Sequence, residues 1–392
     1  MGLSNWKIRQ VIHRSILILS DISKVTAEVF VDKNKIDSHK LYLHPKRVSS
    51  WMEVNDWTNA KSVYPLYVEI SPTGSCNHRC RFCAVDFMEY PDVCIEEELL
   101  KKRISEMAER GVKSIMFAGE GEPLLHKKIA AIVTHTKQSG IDVAFTTNGT
   151  ALTEVFCDRA IGFIEWIKVS INAGTAETYA KIHNAPEKHF ALVLKNIAKA
   201  VEIKKRYRHK CTIGAQMVLI PENITEIESL VQKIKETGAD YLVFKPHSQH
   251  PLSRVQMYNG TTYAKIDLDA LEKKFQEQST KEFNIILREH TIKKLEEEEH
   301  YDRCLSVPFF WAYITAYGDV YSCSMFLGNK DFLLGNIHTE SFREIWEGER
   351  RKKNWQMMKQ FDVSNCRKNC RMDECNRFLN TLKDPPSHVN FI

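Results

Sequence analysis

GSCNHRCRFCAVDF, residues 74 to 87, sets Cys76, Cys80 and Cys83 within eight residues. Thiolates are soft ligands for zinc and for iron-sulfur clusters, and a structural or electron-transfer centre of either kind normally closes with four protein donors. Three sulfurs leave one position over, and an open position is a place for chemistry. The preceding run PLYVEIS, residues 65–71, is apolar, rich in β-formers and of strand length, and Pro72, Thr73 and Gly74 interrupt it. The cysteines are therefore expected on a loop leaving a strand, a frequent address for function. Spacing alone leaves a zinc knuckle or a trio of buried thiols open beside a reactive cluster.

Downstream of that strand, helix-like and strand-like segments alternate, the mark of βα units around a parallel sheet. Strands are expected at 65–71, 112–118, 143–147, 166–171, 212–220 and 241–245, with helices at 96–110, 127–139, 155–161, 190–207 and 224–237. Six strands suit a partial barrel. Between 251 and 300 the alternation fades into two charged, helical stretches, 269–278 and 292–300, which read as a bridge. Residues 1–62 form a separate extension, with a strand or hairpin at 26–31 and a helical piece at 47–53. The expected division is thus 1–62, 63–250, 251–300 and 301–392, without short repeats or low-complexity tracts.

The chain has 392 residues, 43% hydrophobic and 27% charged, an ordinary balance for a globular enzyme. Formal charge is +5, and its densest patch, Lys204, Lys205, Arg206, Arg208 and Lys210, reads as a solvated helix end. Nucleic acid is accordingly not expected as a partner. No run approaches the roughly 18 apolar residues of a membrane span, and the amino terminus lacks a signal-peptide pattern, so a cytoplasmic protein is expected. Eleven cysteines in such a compartment argue for metal or redox chemistry over disulfides. Cys94, Cys157 and Cys211, away from the clusters, read as buried, inert thiols.

The CxxxCxxC triplet after the first strand, with the aromatic Phe82 before its last cysteine, resembles the hallmark of the radical S-adenosylmethionine (radical SAM) superfamily. The resemblance implies a partial (β/α)6 barrel and a [4Fe-4S] cluster on Cys76, Cys80 and Cys83, whose open iron is chelated by S-adenosylmethionine. One βα unit later, Gly119, Glu120, Gly121, Glu122 and Pro123 look like the family's GxGEP segment, which holds the amino end of that ligand. By the same resemblance Thr147, Asn148, Ser170 and Asn172, at the carboxyl ends of strands three and four, contact its ribose and carboxylate. Strand ends are where barrel sites are built, although any one of these residues is equally readable as a hydrogen-bonded cap. Gln216, Lys245 and His247 are candidates for the substrate side.

The carboxyl-terminal cysteines are Cys304, Cys323, Cys366, Cys370 and Cys375. Gly318 to Ser322 reads as a tight hairpin closed by Cys323, and a helix is expected at 341–347. The pattern resembles the SPASM/twitch extension of radical SAM enzymes. Five cysteines imply one auxiliary [4Fe-4S] cluster, best matched by Cys304, Cys323, Cys366 and Cys370, with Cys375 as a spare that could replace either of the last two. A four-sulfur zinc site accepts the same thiolates and stays open.

The function implied is reductive cleavage of S-adenosylmethionine to a 5′-deoxyadenosyl radical that abstracts hydrogen from a small molecule: a sugar, an aminocyclitol or a nucleotide-linked alcohol. A reductant such as flavodoxin or ferredoxin would be the electron donor. The alternatives are a maturase acting on a ribosomal precursor peptide, and a non-catalytic iron-sulfur or zinc-binding protein. The extension of 62 residues is short for a peptide-binding domain and favours the small molecule.

Overall fold

The computed structural model describes residues 35–295 and 301–391. The expected strand at 26–31 and the acidic run 296–299 lie outside the described residues. Ten strands form one sheet: β1 (Tyr67–Ile70), β2 (Ser114–Phe117), β3 (Asp142–Thr147), β4 (Trp166–Ser170), β5 (Thr212–Leu219), β6 (Tyr241–Pro246), β7 (Asn284–Leu287), β8 (Trp311–Ile314), β9 (Asp319–Tyr321) and β10 (Leu333–Asn336). Their order is β10-β9-β8-β1-β2-β3-β4-β5-β6-β7. From β8 to β7 every neighbouring pair is parallel, and β9 and β10 turn back antiparallel.

Alternation along the strands explains this layout. Val68, Ile70, Ile115, Phe117, Val143, Phe145, Ile167 and Val169 belong to the main apolar core with the helices. The intervening positions face the other way, where Tyr67 and Trp166 pack on Met116, Ala118 and Ala144. Each apolar side chain fully buried on the helix side contributes roughly 1.5–3 kcal/mol. The helix Glu97–Glu109 shows the local logic: Glu96 caps its first amides, and Leu100, Ile104 and Met107 form its buried stripe.

All six expected strands are present. The bridge expected to be helical is corrected in part, because Leu268–Gln278 is a helix but 284–287 is β7, parallel to β6. The second stretch is the helix Glu289–Lys293, ahead of the undescribed residues. The sequence reading also passes over the helix Ala176–His183, which Thr175 caps and Asn184 ends at φ 46°. The expected 224–237 helix begins as a 3-10 turn, Ile224–Glu226, and continues as Ile227–Glu236. Near the amino end the helical piece is Pro45–Met52. Cys157 and Cys211 are buried as expected, whereas Cys94 is exposed because its segment forms only an isolated bridge to Thr73.

The hairpin before Cys323 is β8 and β9, and β8 docks in register beside β1, Tyr67 against Trp311 and Glu69 against Tyr313. The carboxyl-terminal region thus continues the barrel sheet. Arg351 fastens the same junction. Its guanidinium is fully buried, donates to the carbonyls of Pro308 (3.0 Å), Trp346 (2.8 Å), Ala60 (3.1 Å) and Val63 (3.1 Å), and stacks 4.2 Å from the Trp346 ring.

Candidate active site

The loop leaving β1 is pinned from below by the end of the helix Ala176–His183. Arg79 and Arg81 donate their amides to the carbonyls of His183 (3.0 Å) and Ile182 (2.8 Å), and Arg79 Nη1 donates to Cys76 O at 2.6 Å. Cys76, Cys80 and Cys83 are half-buried. Burial first pushes Cys76 up to about 11, with Glu122 and then Cys83 adding to the rise; burial also holds Cys80, beside Cys83 and Cys76, and Cys83, beside Asp86, above the ordinary thiol range. Crowded thiols in this state become ligands when a multivalent cation replaces their protons, so the donor set fits a metal centre.

Two histidines crowd the loop. His183 Nε2 donates to Ile171 O at 2.9 Å, which leaves Nδ1 as an acceptor 3.2 Å from Cys80 Sγ. His78 Nε2 lies 3.2 Å from His189 Nδ1, while His78 Nδ1 is buried without a partner. Burial lowers His183 to about 3 and His78 to about 4, so both rings are neutral. The donor atoms of His78, Cys80 and His183 lie within 4.8 Å of one another. The CxxxCxxC pattern gave no hint of His183, which arrives from a helix the sequence reading missed.

Gly119 to Glu122 follows β2 and lies against the cysteine loop. A Cβ on Gly121 would overlap the Thr73 carbonyl oxygen and come within 2.8 Å of Ser75 O, and Gly119 sits at φ 119° against Ser71. Both carboxylates are buried and already bonded. Glu120 accepts from the Tyr313 hydroxyl (2.7 Å) and the Ala316 amide (2.7 Å), and Glu122 accepts from Thr147 Oγ1 (2.6 Å), Asn148 N (2.7 Å) and Leu124 N (3.1 Å). Burial raises both acids in spite of those donors. Asn148 Nδ2 donates to Asn77 Oδ1 at 2.7 Å. The structure therefore brings Glu122, Thr147 and Asn148 together with the cysteine loop, while Glu120 reaches across to β8.

At the end of β4, Ser170 pairs in register with Gln216. Asn172 is fully buried at φ 54°; its Oδ1 accepts from Val218 N at 2.8 Å, and its Nδ2 is buried without an acceptor. An orphaned buried donor at a strand end costs about 1–3 kcal/mol unless a ligand satisfies it. Lys245 is at the end of β6, and the His247 amide donates to the Tyr263 hydroxyl at 2.6 Å.

In the carboxyl-terminal region, Cys304, Cys366 and Cys370 all add to the burial that raises Cys323, and Cys304 and Cys366 likewise act on Cys370. Burial pushes Cys375 up to about 12, and the charges of Glu374, then Asp373, then Cys304 add to the rise. Buried Asn376 shapes the Cys304 turn, accepting from the amides of Leu305 (2.8 Å) and Ser306 (2.9 Å) and donating to Cys304 Sγ at 3.3 Å.

A family model described as the radical SAM superfamily matches residues 70–234, and one described as an iron-sulfur cluster-binding domain, SPASM, matches residues 304–376. Over 309 residues the chain is 25% identical to a tungsten-containing aldehyde ferredoxin oxidoreductase cofactor-modifying protein of Pyrococcus furiosus, covering 73% of this chain and 81% of that one. It is 27% identical over 306 residues to an AdoMet-dependent heme synthase of Methanosarcina barkeri, covering 72% and 82%. Streptococcus suis SuiB, solved with its precursor peptide SuiA, has a similar fold, with TM-score 0.61 and 16% identity over 96% of this chain and 86% of that one. Among the described residues no helix is long and apolar enough to cross a membrane.

Proposed function

Because the chain belongs to the radical SAM superfamily and carries a SPASM iron-sulfur domain, we propose that it is an enzyme that splits S-adenosylmethionine reductively and removes a hydrogen atom from a small polar molecule held in the barrel. The observation that carries this reading is the three-thiol loop fixed against a prebuilt ligand shelf, through Gly121 on Ser75 and Asn148 on Asn77. Cys76, Cys80 and Cys83 would hold a [4Fe-4S] cluster. When bound, that cluster supplies the electron and the open coordination position for the sulfonium ligand. Cys304, Cys323, Cys366 and Cys370 would hold one auxiliary cluster, with Cys375 beside it.

The residues of this chain do the positioning. Glu122 locks Thr147 and Asn148 at the end of β3, so the segment 119–122 offers the ligand backbone groups, its carboxylates being spent on the shelf itself. The free Nδ2 of Asn172 and the hydroxyl of Ser170 supply the next contacts along the rim. Glu120, bonded to Tyr313 and Ala316, ties that shelf to the auxiliary-cluster region. A small-molecule substrate is favoured because two relatives matched over more than 70% of this chain are named as a cofactor-modifying protein and a heme synthase. The charged interior of the barrel suits a polar molecule as well.

The test is anaerobic reconstitution with iron and sulfide, followed by S-adenosylmethionine and dithionite. Formation of 5′-deoxyadenosine is expected, and its loss together with one cluster's iron in Cys80→Ala. Zinc as the tightly held metal, or tight binding of a precursor peptide without turnover of any small molecule, would count against the reading.

A further inference from the structure

Four cations converge where the inner face of the barrel meets the carboxyl-terminal cysteine loop. Lys168 stands in the middle of β4, between the core residues Ile167 and Val169, and pairs in register with Gly214. Lys245 follows the core residue Phe244 on β6 and pairs with Val218. By strand alternation both lysines project away from the helices. Arg371, next to Cys370, crosses to β1 and sets its Nε 2.8 Å from Glu69 Oε2. Arg367, next to Cys366, donates to Ser248 Oγ at 2.8 Å, just beyond β6.

The charges do not balance. Glu69 is the carboxylate that faces both lysines, and it is already spent on Arg371. Arg288, which also faces both lysines, is matched by Asp37 at 3.0 Å. Neither lysine makes a hydrogen bond or salt bridge among the described residues; Lys168 has the Trp166 ring at 5.6 Å. Burial, then Arg371 and Arg288, push Lys168 down to about 7 against the pull of Glu69. Burial, then Lys168, Arg288, Arg367 and Arg371, hold Lys245 well below the ordinary lysine range. His247, itself lowered to about 4 by burial and then by Arg367 and Lys245, stays neutral and adds no charge. Uncompensated cations in an enclosed site are costly to keep, and nothing in the packing of the sheet requires them.

We propose that Lys168, Lys245, Arg367 and Arg371 form the receptor for a multiply charged oxyanion on the substrate, a phosphate or a cluster of carboxylates, set between β4, β6 and the auxiliary-cluster loop. This rests on the barrel interior being the substrate chamber, and it narrows the substrate to an anionic small molecule. Arg367 and Arg371 flank Cys370 in sequence, so the auxiliary-cluster loop itself closes around the charged end of the substrate. The two arginines bring planar donors suited to oxyanions and the lysines bring point charges. S-adenosylmethionine cannot balance the site, since its single carboxylate comes with its own ammonium and sulfonium.

The experiment uses the reconstituted wild-type protein with S-adenosylmethionine in excess. Lysine acetylation by a water-soluble ester is followed by mass spectrometry with and without inorganic pyrophosphate or citrate. At least tenfold protection of Lys168 and Lys245 is expected with one of the two anions, exposed Lys205 being unaffected. Protection by pyrophosphate alone assigns a phosphorylated substrate, and protection by citrate alone a polycarboxylate. Protection by neither, or equal protection of Lys205, overturns the receptor. Calorimetry should then show at least tenfold weaker binding of the same anion to K168Q and K245Q. Formation of 5′-deoxyadenosine in the wild type is scored separately: its absence sinks the radical reading, whereas its presence without anion protection sinks only the receptor.

Discussion

At the residue scale, the contact between His183 and Cys80 poses the sharpest question. The imidazole is neutral, its Nε2 proton committed to Ile171, and its free lone pair points at the sulfur. If three thiolates hold the cluster, His183 only stabilises the unloaded loop. His183→Gln is then expected to keep the iron content and 5′-deoxyadenosine formation of the wild type, read by metal analysis and chromatography. Loss of that site's iron would make His183 a ligand and close the open position. Lys168 gives the second prediction at this scale. Its depressed pKa means that the folded state sheds a proton that the unfolded chain still holds. The burial penalty is therefore felt in full below pH 7 and is relieved as pH climbs from about 7 toward the ordinary lysine value. Anion binding runs the opposite way, because it needs the ammonium. Affinity for the oxyanion should fall as pH rises from 6 to 8.5, and K168Q should flatten that slope in a calorimetric titration.

At the scale of elements, the decisive contact is between two loops, the one after β1 and the one after β2. Gly121 lies so close to Thr73 and Ser75 that any side chain must push backbone against backbone. Gly121→Ala should cost about 1–3 kcal/mol by overpacking and, more tellingly, separate the cysteine loop from the ligand shelf. Lower cluster occupancy after reconstitution, with far-ultraviolet circular dichroism unchanged, is the expected result; full occupancy would show that the loops are independently placed. The same close approach explains the residue types. The segment looks like a ligand-binding loop in sequence, but its glycines admit backbone first and its acids bond strands. Of its four candidate residues, Glu122 is tied to Thr147 and Asn148, and Glu120 to Tyr313 on β8.

At the scale of the whole molecule, Arg351 joins the segment before β1 to the carboxyl-terminal region, with Trp346 donating its indole to Val63 O at 2.8 Å beside it. Its charge is balanced by carbonyl dipoles and aromatic faces. Burial lowers it to about 9. Arg351→Met would strand several buried carbonyls at once, and a loss of about 3 kcal/mol is expected from unpaired polar groups. Urea unfolding monitored by tryptophan fluorescence reads it; a change under 1 kcal/mol would mean the junction relaxes. Because β8 continues the sheet from β1, and Glu120 crosses the same boundary, loosening the junction should also disturb the carboxyl-terminal cysteine region.

Local sequence settled a good deal. Cysteine spacing marked both cysteine clusters, which fall within the stretches matched by the family models, and hydrophobic period with strand breakers placed β1 to β6, since both signals act over a few residues. Two elements escaped: β7 lies between the charged helices Leu268–Gln278 and Glu289–Lys293, whose pattern masks it, and the helix Ala176–His183 has two turns whose start is carried by a single threonine cap. The site's interior was decided by tertiary structure alone. Lys168, Lys245, Arg367 and Arg371 lie up to 203 positions apart and carry no shared pattern. Only the register of parallel strands, with the cysteine loop folded back to Glu69 on β1, puts their charges in one place.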